Sequence, residues 1–363
     1  MRLAIIGAGA AGLAAARALR RLRPDLAITV YEQYDRLGGR LLTGRRGGFV
    51  FDHGAQNLRA PTPELARLLA SELPAADLRD IGLPVWTFDR AGAIAEGDPA
   101  MNAEPKWAYG AGLDTLGQLL ADELDVRRDA RVGSLRQATD DGRPASAPGS
   151  AEQSLAADRW SLLDTRGQPL GAADLVLLTP PAPQAAEIVA ASELGAGPKQ
   201  TLLAELARVV YRPCVSVALA YDRPVARPFY ALVNIDRAHP IAWLALEHAK
   251  GPQRCPPDHS LLMAQMGARW SAERWAAPDG ELAAEAASQA GRLLGEELHA
   301  PLWSDVHRWP YALPDGGADL AALNRAAGGL FFAGDYTAGL GRVHLAIESG
   351  WRAADLIDRA LPH

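Results

Sequence analysis

Residues 3–6 are a short apolar run, followed by Gly7, Gly9 and Gly12 in G-x-G-x-x-G spacing and an Ala- and Leu-rich helical pattern reaching about Arg23. An uninterrupted apolar run of this length is the mark of a buried parallel strand. In a strand–turn–helix unit each glycine has its own task. Gly7 permits the tight turn, Gly9 lets backbone approach a pyrophosphate, and Gly12 lets the helix lie close to the strand. The first helical N–H groups, from Ala10 and Ala11 onward, then offer the positive end of the helix dipole to a diphosphate. A second strand pattern at 27–31 ends at Glu32 and Gln33. Glu32 stands about twenty residues past Gly12, where a carboxylate accepts hydrogen bonds from a ribose 2′-OH. A lone glutamate at a strand end is otherwise ordinary solvated surface. With strand, glycines, helix and second strand in register, the spacing predicts an α/β fold that binds a dinucleotide. The basic start and small apolar residues could pass for a secretory leader, but the glycine spacing and Arg17, Arg20, Arg21 and Arg23 mark the stretch as part of the mature fold.

A chain of 363 residues can bury a large core and suits two connected domains. Its net charge of −6 gives no basic footprint for nucleic acid. No apolar run approaches the ~20 residues that span a bilayer. Cys214 and Cys255 lack metal-ligand spacing and read as reduced thiols of a cytoplasmic enzyme, with a disulfide as the other possibility. No metal site is expected.

Further along, Arg36-Leu37-Gly38-Gly39-Arg40 suits backbone close to a phosphate, with a guanidinium at hand, or else a plain Gly-Gly turn. Phe51-Asp52-His53-Gly54-Ala55-Gln56 reads as a strand running into a turn whose small and amide residues could pass beside a planar ring. Helices are expected at 62–73, 114–124, 201–208 and 281–298, and strands at 129–135, 160–164 and 175–179. Residues 138–158 are rich in Ala, Ser, Pro, Gly and Asp and read as an elongated hairpin loop. Four strand patterns between 214 and 266 suggest an antiparallel sheet of a second domain. Near the end, an apolar strand meets Gly334-Asp335, a glycine-rich turn through Arg342, and a helix from about Val343. Asp335 suits ribityl hydroxyls, and the N–H groups near Val343 suit negative charge developing on a flavin N1–C2=O edge. Such a closing element favours FAD over NAD.

The fingerprint, Glu32, the Arg36-to-Arg40 element and the FDHGAQ run at 51–56 together resemble FAD-dependent amine oxidase-like flavoproteins, most of all their renalase-like branch. The resemblance implies a glutathione-reductase-like Rossmann domain with an interleaved α+β substrate domain. Its expected boundaries are 1–80, 111–195 and 305–363 for the FAD domain, and 81–110 and 196–304 for the substrate domain. It also implies that Val132 sets its backbone against the adenine and that the strand ending at Thr179 lies beside the cofactor. Gly39, Arg40, Gly54, Ala55 and Gln56 complete the implied cofactor residues. Trp309-Pro310-Tyr311 resembles an aromatic segment that reaches the flavin face, and no cysteine stands there, so the FAD is expected to be non-covalent. Trp107, Tyr109 and Trp243 are candidate substrate-facing aromatics, with plain packing the alternative. Arg342 stands where classical amine oxidases have a cage aromatic, and resembles renalase-like proteins that could pair it with an anionic group; His344 beside it is a weaker candidate.

The function so implied is hydride transfer from a small amine or dihydronicotinamide-type molecule to flavin N5, with O2 as acceptor and H2O2 released. No side chain is compelled by the sequence to act as a general base. The alternatives are a desaturase of isoprenoid or porphyrinogen substrates and a non-catalytic FAD-binding protein.

Overall fold

The computed structural model describes residues 1–137 and 160–362, so the loop expected at 138–158 lies outside the described residues. The chain divides into two compact units, one built from Met1–Gly39, Leu120–Val210 and Pro314–His363, the other from Arg40–Leu119 and Tyr211–Leu313.

The first unit is organised on a five-stranded parallel sheet in the order Leu330–Phe332, Leu175–Leu178, Arg2–Ile6, Ala27–Tyr31, Asp125–Arg127. Its central strands are buried on both faces, which is why their sequence reads as unbroken Leu, Ile and Val. The helix Ala10–Leu22 follows the first strand, and the helix Val343–Ala360 follows the last one in sequence. These two helices pack against each other at Gly350, where an added Cβ would lie 2.2 Å from the Ala11 carbonyl oxygen. A three-stranded antiparallel sheet, Val132–Gln137 with Trp160–Asp164 and Pro169–Ala173, completes the unit's β structure.

The second unit carries a seven-stranded sheet in the order Trp303–Asp315, Val210–Tyr221, Ser260–Met266, Ile241–Leu246, Ala231–Asn234, Val85–Phe88, Ile94–Ala95. The four strands foreseen between 214 and 266 pair antiparallel, and Val85–Phe88 joins them in parallel. Alternate residues Val215, Val217, Leu219 and Tyr221 turn to one face, where they pack with Leu282, Ala286, Ala290 and Leu293 of the helix Asp279–Leu294. The opposite face therefore receives Cys214, Ser216 and Ala218, with Gln265 and Met263 from the neighbouring strand.

Several boundaries differ from expectation. Residues 40–80, 111–119 and 305–313 fall in the second unit and 196–210 in the first. The causes are non-local. Trp303–Asp315 is a long strand on the edge of the seven-stranded sheet, whereas Ala196–Ala207 packs on the helices Ala182–Ala191 and Leu320–Ala326. The helix expected at 62–73 is an α-helix over Pro63–Arg67, with Thr62 Oγ1 accepting the Leu65 N–H, and continues as a π-helical turn over Leu68–Glu72.

Close backbone approach at Gly350 leaves no room for a methyl group. Gly350→Ala should cost about 1–3 kcal/mol, read as a lower urea midpoint. Gly280→Ala, where an added Cβ meets nothing within 4 Å, should be neutral or gain up to about 1 kcal/mol.

Candidate functional site

In the first unit both helix N-termini open at the carboxyl edge of the parallel sheet, the edge at which such folds bind dinucleotides. Gly7 turns the chain at φ 103°, its N–H donating to the Tyr31 carbonyl at 2.8 Å. An added Cβ there would meet Thr179 Oγ1 at 2.6 Å, and one on Gly12 would meet the Gly7 carbonyl oxygen at 2.1 Å. Gly9 is different, because a Cβ there would find nothing within 4 Å. Space is kept open in front of a helix start that has no side-chain cap and no acidic residue in its first turn. Gly38 and Gly39 lie against this turn, Gly38 N–H donating to the Ala8 carbonyl at 2.8 Å.

Glu32 is buried at the end of the second strand, where its carboxylate accepts the Ala8 N–H at 2.9 Å and the Tyr34 N–H at 3.1 Å. Burial raises its pKa despite those hydrogen bonds. Gln33 follows in the same bend, and Ala130 N–H donates to the Glu32 carbonyl, which sets Val132 two residues from that junction. Thr179 is nearby, but its hydroxyl is occupied by the carbonyls of Ile6 and Gly7 at 2.8 and 3.0 Å, so it locks the turn. Gly334 and buried Asp335 follow Leu330–Phe332, with Ser349 Oγ accepting the Gly334 N–H at 2.7 Å. Arg342 caps the last helix from an exposed position and half-buried His344 lies in its first turn.

In the second unit the strand Phe49–Asp52 carries two chemistries on its two sides. Asp52 enters a cluster with Glu247, Lys250 and Arg254, all four buried to zero exposure. Its Oδ2 pairs with Arg254 Nη1 at 2.8 Å and Lys250 Nζ at 3.1 Å, and its Oδ1 accepts Thr43 Oγ1–H and the Leu113 N–H. Burial alone would raise the Asp52 pKa, but Arg254 and Lys250 outweigh it and hold the carboxyl well below its usual range. Lys250 also reaches Gln56 Oε1 at 3.4 Å, while Gln56 Nε2 donates to the Asp52 and Gly54 carbonyls.

The peptide after Asp52 is fixed from the sheet. The His53 carbonyl accepts Ser216 Oγ–H at 2.8 Å, Trp309 Nε1–H at 3.0 Å and Gln265 Nε2–H at 3.2 Å. Gln265 Nε2 also donates to the Gly54 carbonyl at 2.6 Å. Gly54 must be glycine, since a Cβ would sit 1.9 Å from the Arg40 carbonyl oxygen, which also accepts the Ala55 N–H. Arg40 itself donates to the carbonyls of Ala312 and Tyr311 at 3.0 and 3.4 Å and lies over the Tyr211 ring.

The candidate aromatics separate on burial. Trp309 contacts the His53 peptide, Tyr311 meets Tyr211 edge-on, and half-buried Trp243 sits 5.9 Å from Tyr230, whose hydroxyl accepts the Asn57 amide. Trp107 is half-buried and bridged to Leu58. Tyr109 is fully buried, its carbonyl bonded to Arg254, and burial pushes its phenol up to about 12. It is a core residue. Ser216, Glu247, Lys250, Arg254, Gln265 and Asp305 escaped the sequence reading, although the alternation Trp303, Asp305, His307, Trp309, Tyr311 signals one strand face. Among the described residues no group of His, Cys, Asp and Glu could hold a metal, and no helix is long and apolar enough to cross a membrane.

A family model for flavin-containing amine oxidoreductases matches residues 92–358, and one for NAD(P)-binding Rossmann-like domains matches residues 5–71. AofH of Mycobacterium tuberculosis, a flavin-containing monoamine oxidase by name, is 46% identical over 69 residues, which are 19% of this chain and 14% of AofH. A protein from Exiguobacterium sp. 255-15, named as a protoporphyrinogen oxidase, superposes with TM-score 0.75 at 18% identity over 99% of each chain. Cyclohexylamine oxidase from Brevibacterium oxydans IH-35A gives TM-score 0.71 at 16% identity, over 99% of this chain and 98% of its own. At these identities the two structures speak for the fold.

Removing one member of the buried cluster leaves its partners unbalanced. Asp52→Asn should cost about 3–5 kcal/mol at pH 7. Because the folded Asp52 pKa is depressed, its contribution is complete above the unfolded value of about 3.9 and is lost as pH falls through the folded one. The penalty, from paired urea titrations, should therefore shrink steadily below about pH 5.

Proposed function

Since this chain belongs to the flavin-containing amine oxidoreductase family, we propose that it is an FAD-dependent oxidase of a small amine or dihydronicotinamide-type molecule, of the renalase-like kind. The observation that carries the cofactor assignment is the open space at Gly9 before an uncapped helix start, with Glu32 buried at the neighbouring strand end. These residues fit a dinucleotide. N–H groups at Ala10, Ala11 and Gly12 would hold the diphosphate, Glu32 the adenosine ribose, and Val132 backbone the adenine. Asp335 would accept ribityl hydroxyls, and the N–H groups from Val343 would lie at the ring edge. Bound FAD supplies the two-electron acceptor for hydride.

Neither cysteine lies in the Trp309–Tyr311 segment, and both have pKa values raised to about 11 by burial, so non-covalent attachment is proposed. Trp243, Trp309 and Tyr311 are proposed to recognise the substrate, and Arg342 to pair with an anionic group on it. O2 is the proposed acceptor, with H2O2 released, in a cytoplasmic setting.

Gly9→Val tests the cofactor site without disturbing the fold. Its urea midpoint should stay within about 0.5 kcal/mol of wild type, while FAD affinity falls at least tenfold. Unchanged FAD affinity would remove the diphosphate assignment. The substrate class is read by anaerobic absorbance of the FAD-loaded protein against amines, dihydronicotinamides and porphyrinogens. Bleaching by amines or dihydronicotinamides, with recovery and peroxide in air, is expected. Bleaching by a porphyrinogen alone would replace the proposal with the desaturase alternative.

A further inference from the structure

His53 is the first residue past the strand Phe49–Asp52 and is almost wholly buried, its side chain 4% exposed. Its Nε2 lies 2.7 Å from Asp305 Oδ1, and the Asp305 side chain is 44% exposed. The imidazole stands edge-on to Phe51 at 5.1 Å and 5.5 Å from the His307 ring, which in turn contacts Trp309 at 4.2 Å. Three donors on the His53 carbonyl keep the residue from swinging out of this position. Nδ1 is sealed from solvent, and among the described residues it has no hydrogen-bond partner. An unmet polar atom in such a place is costly, and each one calls for a physical explanation.

The Asp305 carboxylate can only accept, so the Nε2 bond places the proton on Nε2 and leaves a lone pair on Nδ1. The pair thus runs from a half-exposed carboxylate inward to a dry basic nitrogen. The His53 ring itself is flanked by aromatic neighbours, Phe51 edge-on and His307, which leads on toward Trp309. We propose that His53 is the proton acceptor for a cationic amine substrate, with Asp305 the positioning residue that fixes its tautomer and opens a route for the proton to solvent. The proposal rests on the amine-oxidase function put forward above.

An alkylamine reaches the protein as ammonium, and hydride cannot leave the adjacent carbon until nitrogen has a lone pair to stabilise the resulting cation. In the proposed step one ammonium N–H bond breaks and its electron pair stays on the amine nitrogen. A new N–H bond forms at Nδ1, and the imidazolium is balanced by Asp305. Nothing is oxidised or reduced. The other titratable or charged groups on this side include His307 on the same strand as Asp305, Arg46, which lies over Trp303 and acts on Asp305, Arg212, which acts on Cys214 from the same strand, and His259 edge-on to Phe49. Cys214 sits beside Ser216 with its thiol pushed up to about 11 by burial and so remains neutral.

The test uses FAD-loaded full-length protein and stopped-flow flavin reduction, first with a panel of primary, secondary and cyclic amines. Absence of bleaching in the wild type by every amine defeats the amine-oxidase function and this inference with it, before any variant is made. With a reactive amine, His53→Gln should slow reduction at pH 7 by about 100-fold or more. The rate should recover as pH rises toward the amine's own pKa, where free amine no longer needs a base. Asp305→Asn, at a half-exposed position, should fold normally and lose about tenfold. A His53→Gln rate and pH profile equal to wild type would overturn the proposal, as would a loss that alkaline pH does not relieve together with a wild-type Asp305→Asn. Independently of turnover, 15N spectra of histidine-labelled oxidised protein should show His53 neutral with its proton on Nε2, becoming imidazolium when an unreactive amine is added. A ring protonated on Nδ1 beforehand would overturn it.

Discussion

A carboxylate with no water around it has to be paired completely, and Asp52 is. Two cations, a hydroxyl and a backbone N–H reach its two oxygens, and none of the four ionic side chains retains any exposure. Buried ion pairs of this kind contribute little net stability compared with a well-packed apolar core, because desolvation offsets most of the attraction. What they impose is geometry. The partners of Asp52 come from separate stretches of chain and meet at the end of the strand Phe49–Asp52, where Gln56 also bonds back to the Asp52 carbonyl and to Lys250.

The first unit meets a related constraint by different means. Its turn at the carboxyl edge is held by backbone contacts, with Gly7, Gly12 and Thr179 fitted so closely that an added methyl would collide at each glycine. Of the three fingerprint glycines, Gly9 is the one left facing open space. If this turn holds a diphosphate as proposed, the division serves it, since backbone donors immobilised by their own neighbours are already in place to bind. Glu32 is held in the same way, its carboxylate oriented by two backbone N–H groups.

How much of this was legible follows from sequence separation. The fingerprint, Glu32 and the Gly334–Val343 module are local patterns with spacings dictated by one turn of chain, and each forms the element expected. The Asp52 cluster joins residues 198 and 202 positions apart, a distance at which a single sequence carries no signal. The edge strand Trp303–Asp315 was hidden for another reason. Pro310 interrupts its propensity, yet an edge tolerates proline because one side of the ladder is unpaired. Without that strand, 305–313 read as a continuation of the C-terminal segment, and the face shared by Asp305, His307 and Trp309 stayed concealed. Tyr109, an aromatic beside glycines for which the sequence left both a substrate-facing and a packing role open, is fully buried.

Structural and chemical roles lie side by side at the end of this strand without interfering. Asp52 is its last residue and His53 opens the bend after it, and their side chains meet different partners. One meets Lys250 and Arg254, where every oxygen is satisfied and a proton has nowhere to go. The other meets Asp305 at the edge of the sheet, where one ring nitrogen is bonded and the other is not. A carboxylate locked between cations cannot move a proton at neutral pH, whereas an imidazole paired with a half-exposed carboxylate can. The fully paired carboxylate at the strand's end fixes the backbone from which the next residue's ring projects.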